Sequence, residues 1–324
     1  MFSNLTKLTL TNTMMIGVIM VVCSNNWLSM WMGLELSMLS FIPLMQNKFK
    51  TSSEAMIKYF IVQSAASTMF LFSVIYMLIG VNIMNEMIMT MAMLIKLGSA
   101  PFHNWMIIMI EMIDFQSMFV LLTVMKLPAL SIMYQINSSM LIIPIIISMI
   151  ISSISCINQT SIRKTLGYSS IFNISLMMTS INKINIMFIY LLAYSIMLGM
   201  MIYIMKSLKI NFINQMVFNE FSYLIKINIW INMLSMGGFP PTTGFLVKIL
   251  ILQNISMNMN MLIIWTFILT SLITMMFYTR LAFSSILSSS SYKKWIINKN
   301  KTNYSMMAVN IIFPPVILTL TSIL

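Results

Sequence analysis

The chain is a succession of apolar runs, each about 20 residues long and so matched to the hydrocarbon thickness of a bilayer, joined by short polar segments. A run of that length spans the bilayer as a helix. Charged residues make up only 7% of the 324 positions against 59% apolar ones, with a mean hydropathy of +0.93. A soluble surface of this size needs about 25–35% charge, so the bilayer is the solvent. The apolar runs place helices at about 8–23, 26–45, 54–80, 86–110, 116–136, 140–157, 161–181, 184–206, 222–251, 260–284 and 305–324. The expected fold is therefore an all-α polytopic membrane protein of about eleven spans. Residues 1–324 form one transmembrane domain with no segment long enough for a separate soluble unit.

The net charge of +12, from 18 Lys and Arg against 6 Asp and Glu, reads as topology rather than as a nucleic-acid surface. Lys7, Lys48, Lys50, Arg163, Lys164, Lys206, Lys209, Lys293, Lys294, Lys299 and Lys301 fall in loops on one side, and only Lys183 on the other. The positive-inside rule then puts the N-terminus on the matrix or cytoplasmic side, and an odd helix count puts the C-terminus opposite. Cys23 and Cys156 lie apart inside apolar runs and read as inert core thiols. A single histidine excludes a bis-histidine haem, and two scattered cysteines exclude an iron–sulfur cluster. Neither a P-loop nor a dinucleotide-binding glycine motif is present, so the chain carries out no redox or ATP chemistry of its own.

Two spans are interrupted. The fourth contains Gly98 and Pro101 in Leu97-Gly-Ser-Ala-Pro101, and the ninth contains Gly237, Gly238, Pro240 and Pro241, followed by Gly244. Proline removes a backbone donor and clashes with the preceding turn, and freed backbone at membrane depth is tolerated only against protein or water. With only 9 Gly and 8 Pro in the chain, this clustering is informative. Read as two five-helix units, about 8–136 and about 140–284, followed by a C-terminal helix at about 305–324, each unit breaks at its fourth helix and the second runs inverted. Paired broken helices in inverted repeats point to a transport site.

Four ionisable residues fall near the middle of expected spans: Glu35, Lys96, Lys126 and Lys248. Unpaired at the bilayer centre, the four would cost about 10–14 kcal/mol on insertion scales. They must meet water, pair with each other or sit partly neutral, and those conditions are also what proton transfer requires. The plainer reading is a set of structural ion pairs and snorkelling helix-end residues. Lys58 stands four residues after Glu54, the spacing of a simple helix-surface pair, or else partners Glu35. His103, just after the first break, is either a proton carrier of near-neutral affinity or a hydrogen-bonded helix-end histidine. Ser64, Ser67, Tyr168, Ser169, Ser170 and Asn173 are candidates to line a wet path, though single hydroxyls are common in spanning helices.

Five stretches carry a resemblance: Trp31-Met-Gly-Leu-Glu35 to Pro43, Glu54-Ala-Met-Ile-Lys58-Tyr-Phe60, Lys96-Leu-Gly-Ser-Ala-Pro-Phe-His103-Asn-Trp105, Asn158 to Lys164, and Leu234-Ser-Met-Gly-Gly-Phe-Pro-Pro241 to Lys248. In that order they resemble the chain 2 family of mitochondrial NADH-ubiquinone oxidoreductase, respiratory complex I, in its shortened animal form, a branch of the antiporter-like proton-translocating subunits. The resemblance implies that Glu35, Lys96, Lys126 and Lys248 form a central polar axis for protons. It implies neighbours, chiefly subunits 4 and 4L of that complex, together with membrane lipid and no nucleic acid. NADH, FMN, iron–sulfur clusters and ubiquinone would be handled by other subunits, leaving no cofactor in this chain. It places the protein in the mitochondrial inner membrane. One departure is Asn173, where the family usually has histidine; an amide takes up no proton near neutral pH. A free-standing cation/proton antiporter and a purely structural membrane subunit stay open as alternatives.

Overall fold

The computed structural model of the chain describes residues 4–47, 50–80, 85–136, 138–218, 223–257 and 260–287, with isolated positions at 308, 312, 314–316 and 319. Among the described residues the structure is helical, relieved by one antiparallel bridge between Ser161 and Phe212. Seven expected spans are single helices: α1 (Asn4–Cys23), α2 (Trp27–Leu44), α3 (Lys50–Ile79), α8 (Ile142–Ile157), α9 (Ile162–Thr179), α10 (Ile184–Leu208) and α14 (Met261–Leu287). The fourth span divides into α4 (Asn85–Leu97) and α5 (Asn104–Met112), and the ninth into α12 (Tyr223–Gly237) and α13 (Thr243–Met257). A short helix, α11 (Ile213–Phe218), precedes α12. The eleventh expected span lies almost wholly outside the described residues. Among the described residues, six stretches are long and apolar enough by themselves to cross a bilayer.

The fifth span corrects the sequence reading. Expected as one helix over 116–136, it divides into α6 (Phe115–Leu122) and α7 (Lys126–Ile136). Pro128 has no N–H to offer the Val124 carbonyl and its ring crowds that carbonyl. Thr123 adds a hydroxyl bond to the Phe119 carbonyl at 2.7 Å, a contact that bends helices. The ladder gives way between them, with Met125 N–H reaching back to Val120 and Lys126 N–H to Thr123. Lys126 thereby becomes the first residue of a half-helix rather than the middle of a continuous one.

The chain packs as two compact units, Met1–Ile151 with Ser170–Ile184, and Ser152–Ser169 with Asn185–Leu324. In the first, α1 lies along α2, α2 along α3, α3 along α4, and α4 along α7. The α1–α2 crossing is closed by Gly17 against Gly33. A Cβ on Gly17 would stand 2.9 Å from the Gly33 carbonyl oxygen, and one on Gly33 would stand 2.8 Å from that of Gly17. Lipid gives helices no hydrophobic reason to associate, so close approach of small residues supplies the contact. Gly17→Leu is expected to force the pair apart, costing about 1–3 kcal/mol by overpacking. Membrane extracts should then yield less folded protein, and wild-type recovery would show that the crossing tolerates separation.

In the second unit α12 packs on α14, and α13 contacts both. Gly237 faces Tyr278 of α14, with a Cβ there meeting the Tyr278 Cβ at 3.0 Å. Gly244 approaches the Ser235 carbonyl so closely that no side chain fits between them. Both glycines flank the break, and their missing side chains let α12, α13 and α14 converge on it.

Candidate functional site

Any helix leaves its last four carbonyls without an intrahelical donor, and inside a membrane each needs a partner. The end of α4 finds one for every carbonyl. Leu94 O accepts from Ser99 N–H at 3.2 Å, and Ile95 O from Gly98 N–H and from the Trp105 indole at 3.1 Å each. Lys96 O accepts from the Gln63 amide at 3.5 Å, and Leu97 O accepts from the Lys126 ammonium. Gly98 makes the turn with a φ of +64°, a conformation open to glycine at little cost. The first break is thus a built carbonyl terminus, and a buried cation satisfies its final member. A cation there also opposes the negative end of the helix dipole.

Lys126 is held from three sides. Besides the Leu97 carbonyl, its Nζ lies 3.3 Å from Met106 Sδ and 5.7 Å from the centroid of the Trp105 ring, within cation–π reach. Lys96, the penultimate residue of α4, is buried to 6% exposure, and Glu35 on α2 is half-buried. Between the two lysines lies a cavity of about 20 Å³ lined by Ser37, Tyr59, Gln63, Lys96, Trp105 and Lys126 among others. A buried water needs about 10–15 Å³ by this measure and two to four polar partners. The cavity fits one water and offers that many partners.

In the second unit Lys248, on the buried face of α13, donates to the Gly237 carbonyl at 2.7 Å. That carbonyl closes α12, so Lys248 stands to the second break as Lys126 stands to the first. Lys96 and Lys248 are the lysines nearest the two glycine–proline clusters in sequence. The geometry instead matches Lys126 with Lys248, each bonded to the last carbonyl of the half-helix preceding the break. Gly238, at φ +79°, completes this turn.

Other expected residues fall as follows. Lys58 and Glu54 form an exposed pair at 3.9 Å on α3, the simple surface pairing. His103 stands at the N-cap position of α5 without a side-chain capping bond, its ring Nδ1 donating instead to the Pro101 carbonyl at 3.3 Å. Pro101, Pro240 and Pro241 are exposed at the turns themselves. Asn173 is buried in α9. Four residues at or near the sites were not assigned a role from sequence: Tyr59, Gln63, Trp105 and Lys226. Tyr59 and Gln63 continue the buried stripe Ala55, Tyr59, Gln63, Ala66 and Phe70 of α3, and a glutamine inside such a stripe was a readable sign of a polar interior. Lys226, buried in the first turn of α12, offered no comparable sign because it sits at an expected span boundary.

Helices interrupted at membrane depth, with lysines bonded to their broken ends, define the transporter class of polytopic membrane protein. The chain belongs to the NADH:quinone oxidoreductase/Mrp antiporter transmembrane family, whose sequence pattern matches residues 24–274. It is 35% identical over 310 residues to NADH-ubiquinone oxidoreductase chain 2 of Anopheles gambiae, covering 92% of this chain and 90% of that one. The same protein of Locusta migratoria is 35% identical over 315 residues, covering 93% and 92%. In fold it is similar to a chain of respiratory complex I from Thermus thermophilus, with a TM-score of 0.85 over 97% of this chain and 78% of that one at 16% identity.

Proposed function

We propose that this chain is a core membrane subunit of respiratory complex I, NADH:ubiquinone oxidoreductase, and that it translocates protons through Glu35, Lys96, Lys126 and Lys248. The observation that carries this reading is the one-water cavity whose walls include both Lys96 and Lys126. A water there receives a proton from one ammonium and passes one to the other amine, while Glu35 biases the charge on Lys96. Lysine is suited to this and arginine is not, because only lysine gives up its proton within reach of physiological pH. Neighbouring charges shift each other's proton affinity, so a change imposed at one site propagates to the next. The Gly237 carbonyl holds Lys248 at the second break as the continuation of the same series.

Electron transfer takes place in other subunits, which hold NADH, FMN, iron–sulfur clusters and ubiquinone, and this chain is the non-redox part of the enzyme. Each proton moved outward works against about 2.3 kcal/mol per 100 mV, energy that arrives through the neighbouring subunits, chiefly 4 and 4L. The chain lies in the mitochondrial inner membrane as a multi-pass protein. The excess of basic residues in the loops of one side supports an N-terminus on the matrix side and a C-terminus on the intermembrane-space side. In the assembled complex Lys96→Ala is expected to lower the proton output per NADH several-fold, with complex abundance on native gels unchanged. Full output from a normally assembled variant refutes the assignment, and loss of the complex itself favours a structural role.

A further inference from the structure

The second unit contains two buried amides that meet no described hydrogen-bond partner and that the proton series above does not use. Asn232 of α12 is 0% exposed and Asn254 of α13 is 2% exposed. In both, the side-chain oxygen and nitrogen make no hydrogen bond to another described residue. A buried amide in that state costs about 1–3 kcal/mol per unsatisfied group, a large penalty in a membrane interior, unless water satisfies it. Their placement is specific. Asn232 lies five residues before Gly237, about 7–8 Å along the helix at 1.5 Å per residue, and Gly237 is the residue whose carbonyl holds the Lys248 ammonium. Asn254 lies six residues beyond Lys248, about 9 Å along α13 by the same rise. It shares the buried face of that helix with Gly244, Val247, Lys248 and Ile251. On α12, Asn228, Asn232 and Ser235 are buried at the i, i+4, i+7 spacing of a single helical face, so a polar stripe runs toward the break.

We propose that Asn232 and Asn254 are positioning residues for Lys248, holding ordered water on each side of the second break through which its proton arrives and departs. This rests on the reading of Lys248 as a proton carrier and extends it. In the transfer an N–H bond of the ammonium breaks as an O–H bond forms on the water, and the amine keeps the electron pair. The amides gain and lose nothing, because an amide does not titrate near neutral pH; they orient the water by donating one hydrogen bond and accepting another.

The test uses the assembled complex in two arms. A high-resolution density map of the native complex is expected to show ordered water within hydrogen-bond distance of both amides; a map in which both bond only to protein or lipid overturns the proposal. Asn232→Leu, of similar size but unable to bind water, is expected to slow proton output about tenfold, a modest share of what loss of a proton-transfer partner removes. Asn232→Gln should recover most of it. Normal output from Asn232→Leu at wild-type abundance overturns the proposal, and if that variant fails to accumulate, the map decides. Lys248→Ala measured alongside separates the two ideas. Normal output from Lys248→Ala sinks the proton-carrier reading itself, whereas a damaged Lys248→Ala beside a normal Asn232→Leu sinks only the amide-held water.

Discussion

Complexes carrying Lys126→Met are expected to pump at least about tenfold more slowly, in keeping with the loss of a proton-transfer group, and Lys126→Arg is expected to fail nearly as badly. The pair of substitutions separates what the lysine holds from what it transfers. Methionine fills the space but leaves the Leu97 carbonyl without the ammonium that now donates to it, a loss of about 1–3 kcal/mol for a buried acceptor. Some of the Lys126→Met defect is therefore structural. Arginine removes that ambiguity. Its guanidinium still donates to a carbonyl, still stacks over the Trp105 ring 5.7 Å from the present amine, and stays charged at every physiological pH. A lysine that only staples α7 to the end of α4 is replaced by arginine with little loss. A lysine that must release its proton is not. The measurement is proton output per NADH oxidised in membrane vesicles, with complex abundance on native gels as the check. Near-normal pumping by Lys126→Arg would leave Lys126 a structural cation.

How far this site was legible in the sequence depends on which physical signal each part gave. Spans were legible because a bilayer enforces a length and a composition, and both are read directly from hydropathy. The breaks at Gly98–Pro101 and Gly237–Pro241 were legible because glycine and proline act on the backbone at their own positions. The break before Lys126 was missed although its cause, Pro128, was in plain view. A proline acts on the carbonyl four residues upstream, and Thr123 reinforces it through a side chain whose direction the sequence does not record. Which lysines bond the broken ends was not legible, for a related reason. Lys96 and Lys248 lie nearest the two glycine–proline clusters in sequence. The bond that defines the role of a break lysine, however, joins it to a carbonyl at the end of another half-helix, 29 residues away for Lys126 and 11 for Lys248. Contacts of that separation are set by tertiary packing. The same holds for Gln63 and Trp105, whose donors reach the α4 terminus from 33 and 10 residues away.

Gly238→Ala should abolish most pumping although it adds a single methyl and removes no charged group. Two effects meet at that position. The residue has a φ of +79°, where an L-residue costs about 1–2 kcal/mol relative to glycine. The new Cβ would also stand 2.8 Å from Lys248 Nζ and 2.9 Å from its Cδ, closer than real atoms approach. Lysine is flexible, so the side chain yields before the backbone does, and the movement available to it is away from the Gly237 carbonyl that it now holds at 2.7 Å. Gly80 supplies the control. It shares the left-handed backbone at φ +92°, and a Cβ there meets no described residue within 4 Å. Gly80→Ala therefore carries the same class of backbone strain with no contact to displace, and should cost stability while leaving proton output per assembled complex intact. If Gly238→Ala loses output in proportion to Lys248→Ala while Gly80→Ala does not, the loss comes from moving one amine off one carbonyl. If the two alanine variants behave alike, backbone strain alone explains both, and the Lys248–Gly237 bond holds the fold without taking part in the transfer.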